Sequence, residues 1–318
     1  MVRHGVAVTS GPRASVVVAC HSERRWPLIV TAIDSILNQD AQPIEVVVAV
    51  DHNHGLRQRI ADRFPNVRVV ANDGGRGASC TRNVGVRATR DDCDVVVFLD
   101  DDARATDGWL GCLLEPFESK DVVGSGGGVD PDWERGRPHW FPDEFGWVVG
   151  ASYRGMPTTK SDIRNVWSEN MAVRRDAFEA VGGFREGFGK MGERSRPEDT
   201  DLCIRVAEHG GGRWIFVPEA RVFHHVPTGR SSFRFFVRRC YSEGKGKVEM
   251  AQLLRSEQPL LAEREYVRHT LFGGIAREVR EGITLGSPRS IARAASIVAG
   301  AAAAGAGSAA GLLAASKL

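Results

Sequence analysis

Residues 97–110 read VFLDDDARATDGWL, an apolar run that stops in three consecutive aspartates. Val95, Val96, Val97, Phe98 and Leu99 are continuously apolar rather than alternating, the pattern of a strand covered on both faces. Asp100, Asp101 and Asp102 then fall at its carboxyl end. Adjacent carboxylates repel one another, and a chain that only had to end a strand would use Gly, Asn or Pro. Three acids therefore imply a positive charge for them to face.

The segments before this strand set the fold class. Residues 15–20 (SVVVAC), 44–50 (IEVVVAV) and 67–71 read as three earlier buried strands, separated by helical spacing over 26–37, 55–64 and 78–88. In the first helix Leu28, Ile29, Ala32, Ile33 and Ile36 share one face. This alternation predicts an α/β domain, a mostly parallel sheet flanked by helices. Ligands of such sheets bind outside the carboxyl ends of the strands. Three polar loops meet there: Cys20-His21-Ser22-Glu23, Asp51-His52-Asn53-His54 and the three aspartates.

The rest of the chain is less regular. Residues 130–150 are rich in Trp, Phe, Pro and acids, residues 165–184 read as strand, turn and short helix, and a helix opens at Pro197-Glu198-Asp199-Thr200-Asp201, followed by a strand over 214–217. The run GSGGG at 124–128 closes no dinucleotide fingerprint and is expected to be a flexible turn. From Ala294 to Ser316 there are 23 residues without a charge, mostly Ala, Gly and Ser. A bilayer span, a peripheral or helix-packing element and a flexible tail all remain open for this segment.

With 42% hydrophobic residues, 26% charged and a net charge of +2, the 318-residue chain reads as globular and lacks the basic excess of a nucleic-acid binder. Its six cysteines, at 20, 80, 93, 112, 203 and 240, form no C-x-x-C pair and read as reduced thiols of a cytoplasmic protein. The N-terminus has no apolar stretch of signal-peptide length, so no export is expected.

Carboxylates at a strand end commonly hold Mg²⁺ or Mn²⁺, which in turn clamps phosphate oxygens and neutralises a departing diphosphate. Helix capping, as at Thr106-Asp107, accounts for one acid but not for three.

Taken in order, VVVACHSE, VVVAVDHN, the RNVG at 82–85, FLDDDA, NMAVRRDAFEAVGGF, PEDTDLCIR and VFHH resemble a family 2 inverting glycosyltransferase of the GT-A fold, over residues 14 to 228. The resemblance implies that 14–130 binds a nucleoside diphosphate sugar, UDP being the common carrier, and that 131–228 binds the acceptor. Residues 1–13 are then a flexible lead, 229–287 a helical extension and 288–318 an Ala/Gly-rich tail. It further implies that Cys20, Ser22, Glu23 and Asp51 line the nucleoside pocket, with Arg82, Asp100 and Asp101 beside the donor. Asp102 and His224 would ligate Mn²⁺ or Mg²⁺, and Asp199 would be the catalytic base. The acceptor would be a glycan, a lipid-linked sugar or a small molecule. The segment RCYSEGKGK at 239–247 resembles transferases acting on lipid-linked sugars, including glucuronosyltransferases using glucosyl-dolichyl-phosphate-type acceptors.

Chemistry supports the choice of base on its own ground. Inverting displacement at an anomeric carbon needs one base to deprotonate the acceptor hydroxyl opposite the leaving group. A carboxylate at a helix start suits this, although Glu198, Asp199 and Asp201 there also complement the helix dipole. Asn170 and Glu198 are candidates for sugar hydroxyls, and Trp167 for stacking on a sugar, as are Trp133, Trp140 and Trp147; packing is the alternative for each. His52 and His54 read as solvated. Aromatic and basic residues at 233–247 suggest a helix whose apolar stripe, Phe233, Phe236, Val237, Cys240 and Tyr241, packs on the domain or contacts a membrane. A haloacid-dehalogenase phosphatase also places D-x-D after a strand, but after its first. A pyrophosphorylase would want a glycine-rich phosphate loop where CHSERRWP stands. A non-catalytic carbohydrate-binding protein with a structural metal is the third rival.

Overall fold

The computed structural model describes residues 11–191, 194–254 and 266–315. The strand that carries the aspartates, β4 (Val95–Asp100), is hydrogen-bonded on both sides. On one side lie β1 (Ala14–Cys20), β2 (Glu45–Asp51) and β3 (Arg68–Asn72), all parallel to it. Between them run α1 (Trp26–Leu37), α2 (His54–Arg63) and α3 (Ala78–Arg87).

The continuous apolar runs are explained by two cores. Val16, Val18, Val48, Val97 and Leu99 face Ile29, Ile33 and Ile36 of α1 and Leu56 and Ile60 of α2. Their strand neighbours Val17, Val47, Val96 and Phe98 face Val86, Phe178 and Phe184 on the other side. Alternate side chains of a strand point to opposite faces, so a sheet covered on both must be apolar at every position.

Beyond β4 the sheet is mixed. Its order is β3-β2-β1-β4-β8-β6-β11-β5, where β5 is Ala103–Ala105, β6 Val122–Trp133, β8 Asn170–Arg174 and β11 Arg213–Val226; β7 (Ser161–Ile163) pairs with β11. Strand β8 is antiparallel to both β4 and β6, and β11 is parallel to β6. Helices α4 (Trp109–Leu114), α5 (Arg175–Ala180) and α6 (Glu198–Gly210) connect these strands, and β9 (Gly189–Met191) pairs with β10 (Arg194–Arg196). Helix α4 starts at Trp109 with Gly108 at its N-cap and no side-chain capping bond, so the Thr106-Asp107 cap is absent.

The expected flexible turn at 124–128 is instead buried strand β6. Its glycines are required by close approach rather than by mobility. A Cβ on Gly124 would lie 2.2 Å from the Trp214 ring, and one on Gly127 would lie 1.7 Å from the Ala220 carbonyl oxygen of β11.

The C-terminal region is helical. Helix α7 (Phe233–Leu254) leads by way of a π-helical turn at Tyr266–Leu271 to α8 (Phe272–Thr284) and the 28-residue α9 (Pro288–Ala315). Phe236 and Cys240 of α7 are buried with Phe141, Phe145 and Ile297 of α9, while Phe233 and Tyr241 stay exposed. The stripe thus packs through its centre. The tail, over its described length, is a helix seated on α7, with Gly244 against the Ala304 carbonyl and Gly307 against that of Tyr241. Past the exposed Arg289, its outward residues, among them Ile291, Ala295, Val298, Ala302, Ala306, Leu312 and Leu313, are uncharged. Residues 288–314 are long and apolar enough to cross a membrane. Residues 1–10 of the N-terminal segment expected to be flexible, residues 192–193, part of the extension (255–265) and the last three residues lie outside the described set.

Candidate active site

Two arginines answer the three aspartates. Arg25, in the 3-10 turn after β1, donates to Asp101 Oδ1 at 2.5 Å and lies 3.1 Å from Asp102 Oδ2. Arg82 of α3, only 5% exposed, donates to Asp100 Oδ1 at 2.6 Å. Its other terminal nitrogen, Nη1, is 3.6 Å from Glu198 Oε1 and has no hydrogen-bond partner among the described residues. Burial works against the Arg82 charge, but Asp100, Asp199 and Glu198 hold it firmly protonated.

Asp102 turns the other way. Its Oδ1 lies 3.4 Å from His224 Nε2, brought alongside by the antiparallel pairing of β5 with β11, in which His224 faces Ala103. His224 Nδ1 donates to the Gly150 carbonyl oxygen at 2.9 Å and is 3.7 Å from Glu169 Oε2. Burial disfavours the imidazolium, but Glu169 and Asp102 outweigh it and lift His224 to about 9. Burial would raise Asp102, yet the His224 hydrogen bond and charge, with Arg25, hold it well below the usual carboxylate range. Burial pushes Asp101 up to about 7 despite Arg25, and Glu169 up to about 8 despite His224.

One cavity of about 1230 Å³ collects these groups. Arg25, Arg82, Asp100, Asp102, Glu169, Glu198, Asp199 and His224 line its sheet-edge end, with Trp147 and Trp167 on its walls. Asp199 stands in the first turn of α6, and burial lifts its pKa against the pull of Arg82 and a hydrogen bond from Ser168. Its Oδ1 is buried without a hydrogen-bond partner among the described residues. Glu198 is likewise pushed up by burial and by Asp199, with Arg82 opposing. Asp201, two residues on, is fully buried and held by Arg205 at 2.7 Å and by Arg185, so it braces the helix start.

The donor set fits a hard divalent cation. One anionic carboxylate and one imidazole stand within a shared contact distance, with an unpartnered buried oxygen on Glu169 nearby. Among the described residues no three His, Cys, Asp or Glu side chains converge on a point. Mg²⁺-type sites commonly use one or two carboxylates and take the remaining ligands from water and substrate phosphates.

Other expected positions differ in detail. Cys20 is 1% exposed with its thiol in the core, so its backbone alone is available to a ligand. Ser22 and Glu23 follow the carboxyl end of β1 and are not among the residues lining the cavity. Asp51 braces its own loops, accepting from the Gly77 amide at 3.0 Å, from Asn72 at 3.1 Å and from His52 at 2.6 Å. Asp101 points away from the cavity into its pair with Arg25.

Asn170 is a correction. It is 1% exposed and its amide is fully occupied, receiving from Trp109 Nε1 at 2.8 Å and donating to the Gly128 and Ala220 carbonyls. It fastens β8 to β6 and β11 and has nothing left for a sugar. Its neighbour Glu169 faces the cavity instead. Trp133 and Trp140 pack edge-on against Phe141 and Phe236, whereas Trp147 and Trp167 reach the cavity. His52 adopts φ 47° beside Asp51, and His54 is exposed. Sequence reading missed Arg25 and Glu169; for Arg25 the signal was the unpaired charge of the acids, while Glu169 sits in a polar loop with no pattern of its own.

Comparison with known proteins gives the family and the fold. The family model of glycosyl transferase family 2 matches residues 15–182. A glucosyl-dolichyl phosphate glucuronosyltransferase from Haloferax volcanii is 35% identical over 243 residues, covering 75% of this chain and 77% of that protein. A mannosyltransferase from Pyrobaculum calidifontis, solved with GDP-Man and Mn²⁺, superposes with a TM-score of 0.58 at 20% identity, over 92% of this chain and 87% of that one. GalNAc-T7, solved with UDP, GalNAc and Mn²⁺, gives 0.55 at 17% identity, over 83% of this chain and 57% of that one. These two likenesses concern the fold. The phosphatase, pyrophosphorylase and non-catalytic readings give way, and the chain belongs to glycosyl transferase family 2, a hexosyl- or uronosyltransferase on a GT-A sheet.

Proposed function

We propose that the protein is a metal-dependent inverting transferase that takes a sugar from a nucleoside diphosphate donor, UDP-linked in the first instance, and delivers it to an acceptor hydroxyl. The observation that carries this reading is the pairing, within one cavity, of Asp102 and His224 at 3.4 Å with the orphaned buried oxygen of Asp199. Asp102 and His224 would hold Mn²⁺ or Mg²⁺, which supplies charge neutralisation of the departing diphosphate.

The chain's own residues do the rest. Asp199 accepts the acceptor's hydroxyl proton on the oxygen that now lacks a partner, and its raised basicity suits that task. Arg82 bridges Asp100 to Glu198 and so fixes the donor side of the cavity relative to α6. Arg25 and Arg230 add positive charge beside the diphosphate position. Trp167 offers a face for sugar stacking.

The outer face of α9, uncharged from Ile291 on, supports work at a membrane surface, in keeping with the dolichyl-linked substrate named for the Haloferax relative, and we assign that work to the cytoplasmic side. Incubation with a panel of nucleotide sugars and Mn²⁺ tests the reading: release of nucleoside diphosphate from one donor is expected, and no release from any of them, with or without acceptor, would overturn it.

A further inference from the structure

Two further buried carboxylates, Glu144 and Glu278, do not line the cavity. Glu144 belongs to the 3-10 segment Asp143–Val149 and is fully buried, and Glu278 of α8 is 3% exposed. Arg277 of α8 donates from one nitrogen, Nη2, to Glu144 Oε1 at 2.8 Å and to Glu278 Oε1 at 3.0 Å. Arg293 of α9 donates to Glu278 Oε2 at 2.8 Å. A chain of alternating charges, Glu144–Arg277–Glu278–Arg293, therefore joins the 3-10 segment to both C-terminal helices.

Close packing tightens the join. A Cβ on Gly274 would lie 2.6 Å from Glu144 Oε1, so the α8 backbone itself meets the carboxylate. The Tyr266 hydroxyl donates to the Glu144 carbonyl oxygen and accepts from Trp147 Nε1 at 3.1 Å, which pins the first turn of the segment. Ion pairs buried this deeply gain little stability over apolar side chains of the same volume, and their best-attested use is to fix register.

The far end of the segment shows what that register sets. Val148 and Val149 are buried, the Gly150 amide donates to the Trp147 carbonyl, and the Ala151 amide donates to that of Gly146. The chain thus reaches Gly150 without slack. Gly150 stands at φ 72°, where a Cβ would lie 2.7 Å from His224 Cε1, and its carbonyl oxygen accepts from His224 Nδ1 at 2.9 Å.

We propose that Glu144 is a positioning residue for the metal site: pinned by Arg277 and Tyr266, it sets the Gly150 carbonyl, and that carbonyl aims His224 Nε2 at the cation. The C-terminal helices are then a working part of the site, because they supply both pins. The proposal rests on the reading above for His224 as a ligand and goes beyond it in naming what holds that ligand from outside the sheet.

The metal-free protein carries the first readout. A hydrogen-bonded imidazole Nδ1 proton resonates downfield and exchanges slowly with water, and His224→Gln identifies it by its disappearance. Glu144→Gln keeps the shape and removes the charge, so this proton should exchange about tenfold faster, the size of one weakened hydrogen bond. The second readout is Mn²⁺ binding with UDP present. Glu144→Gln should weaken it about tenfold in the wild-type background and leave it unchanged in the His224→Gln background, since it acts only through that ring. Tyr266→Phe removes a pin without touching a charge; it should act in the same direction, and it stands in if Glu144→Gln does not fold.

Unchanged proton exchange, unchanged Mn²⁺ affinity, or an equal loss in both backgrounds would each overturn the positioning role and leave Glu144 as a fastening for the helices alone. Such a result leaves the transferase reading standing. Mn²⁺ affinity undiminished by His224→Gln itself would strike the metal reading, and the positioning role with it.

Discussion

His224 donates from Nδ1 to the Gly150 carbonyl at 2.9 Å and thereby turns Nε2 toward Asp102 Oδ1, 3.4 Å away. A carbonyl oxygen only accepts, so the Nδ1 proton is fixed and Nε2 carries the lone pair whenever the ring is neutral. A hydrogen bond of this kind orients most metal-bound histidines.

The first prediction concerns that pair. With His224 lifted to about 9, a cation must displace a proton from Nε2, so Mn²⁺ affinity should rise from pH 6 to pH 9 with proton release, measurable by calorimetry in two buffers. Asp102→Asn and His224→Gln should each weaken Mn²⁺ by about tenfold or more. Exhaustive chelation should silence transfer and added Mn²⁺ restore it; full turnover in EDTA would remove the metal from the mechanism.

The second concerns Asp199. Asp199→Asn keeps the shape and the Ser168 neighbour but removes the basicity, so transfer should fall by about 10²- to 10⁴-fold while nucleotide binding survives. A fully active asparagine variant would move the base elsewhere, with Glu198 next in line because it lines the same cavity and is also pushed up by burial.

A third follows from the stacked acids. Glu169 is raised from 4.5 to about 8, so the folded state binds a proton that the unfolded chain has already released across that window. The stability this contributes is complete below about pH 4.5 and lost as pH rises through 8. Asp101 and His224, both raised, act with the same sign. Asp102 is depressed, and its contribution is constant throughout this window. The melting midpoint of the metal-free protein should therefore decline from pH 5 to pH 9, and Glu169→Gln should flatten the decline. Parallel slopes in the two proteins would clear Glu169 of the effect.

These groups were not equally readable from sequence. The β/α alternation up to Asp100 is visible because a sheet covered on both faces leaves unbroken apolar runs, and Asp102 follows at its carboxyl end, whereas His224, within β11, and Asp199, in the first turn of α6, are marked only by the family resemblance. The GSGGG run misled because glycine serves two ends: it marks turns, and it also permits backbone contact, which is what the Ala220 carbonyl demands of Gly127. Asn170 misled for a related reason. An amide in a polar motif reads the same whether it meets a ligand or three buried scaffold groups. The partner of the acids, Arg25, is far from them in sequence, and only the fold of the first β/α turn brings it to Asp101. The uncharged tail left three readings open because composition does not show which face of a helix is covered. The glycine contacts with α7 settle that it packs.

The last prediction concerns the face that α9 does not pack. Its outward residues run uncharged from Ile291 to Leu313, and α8 adds Phe272, Val279 and Ile283, exposed at 65%, 37% and 75%. Between them Arg280 and Arg289 are exposed, and residues 266–315 hold five arginines against two glutamates. Each cation at an anionic surface contributes on the order of 1 kcal/mol, and the apolar side chains add burial in the interface. The full chain should therefore float with vesicles containing phosphatidylglycerol, less so in high salt. Ile283→Glu with Val298→Glu should abolish flotation without unfolding the protein, because both side chains are exposed, at 75% and 53%. Donor hydrolysis should persist in this variant, since neither residue lines the cavity. Undiminished flotation would place the membrane contact on another surface, and absence of flotation by the wild type would mean that acceptors reach the cavity from solution.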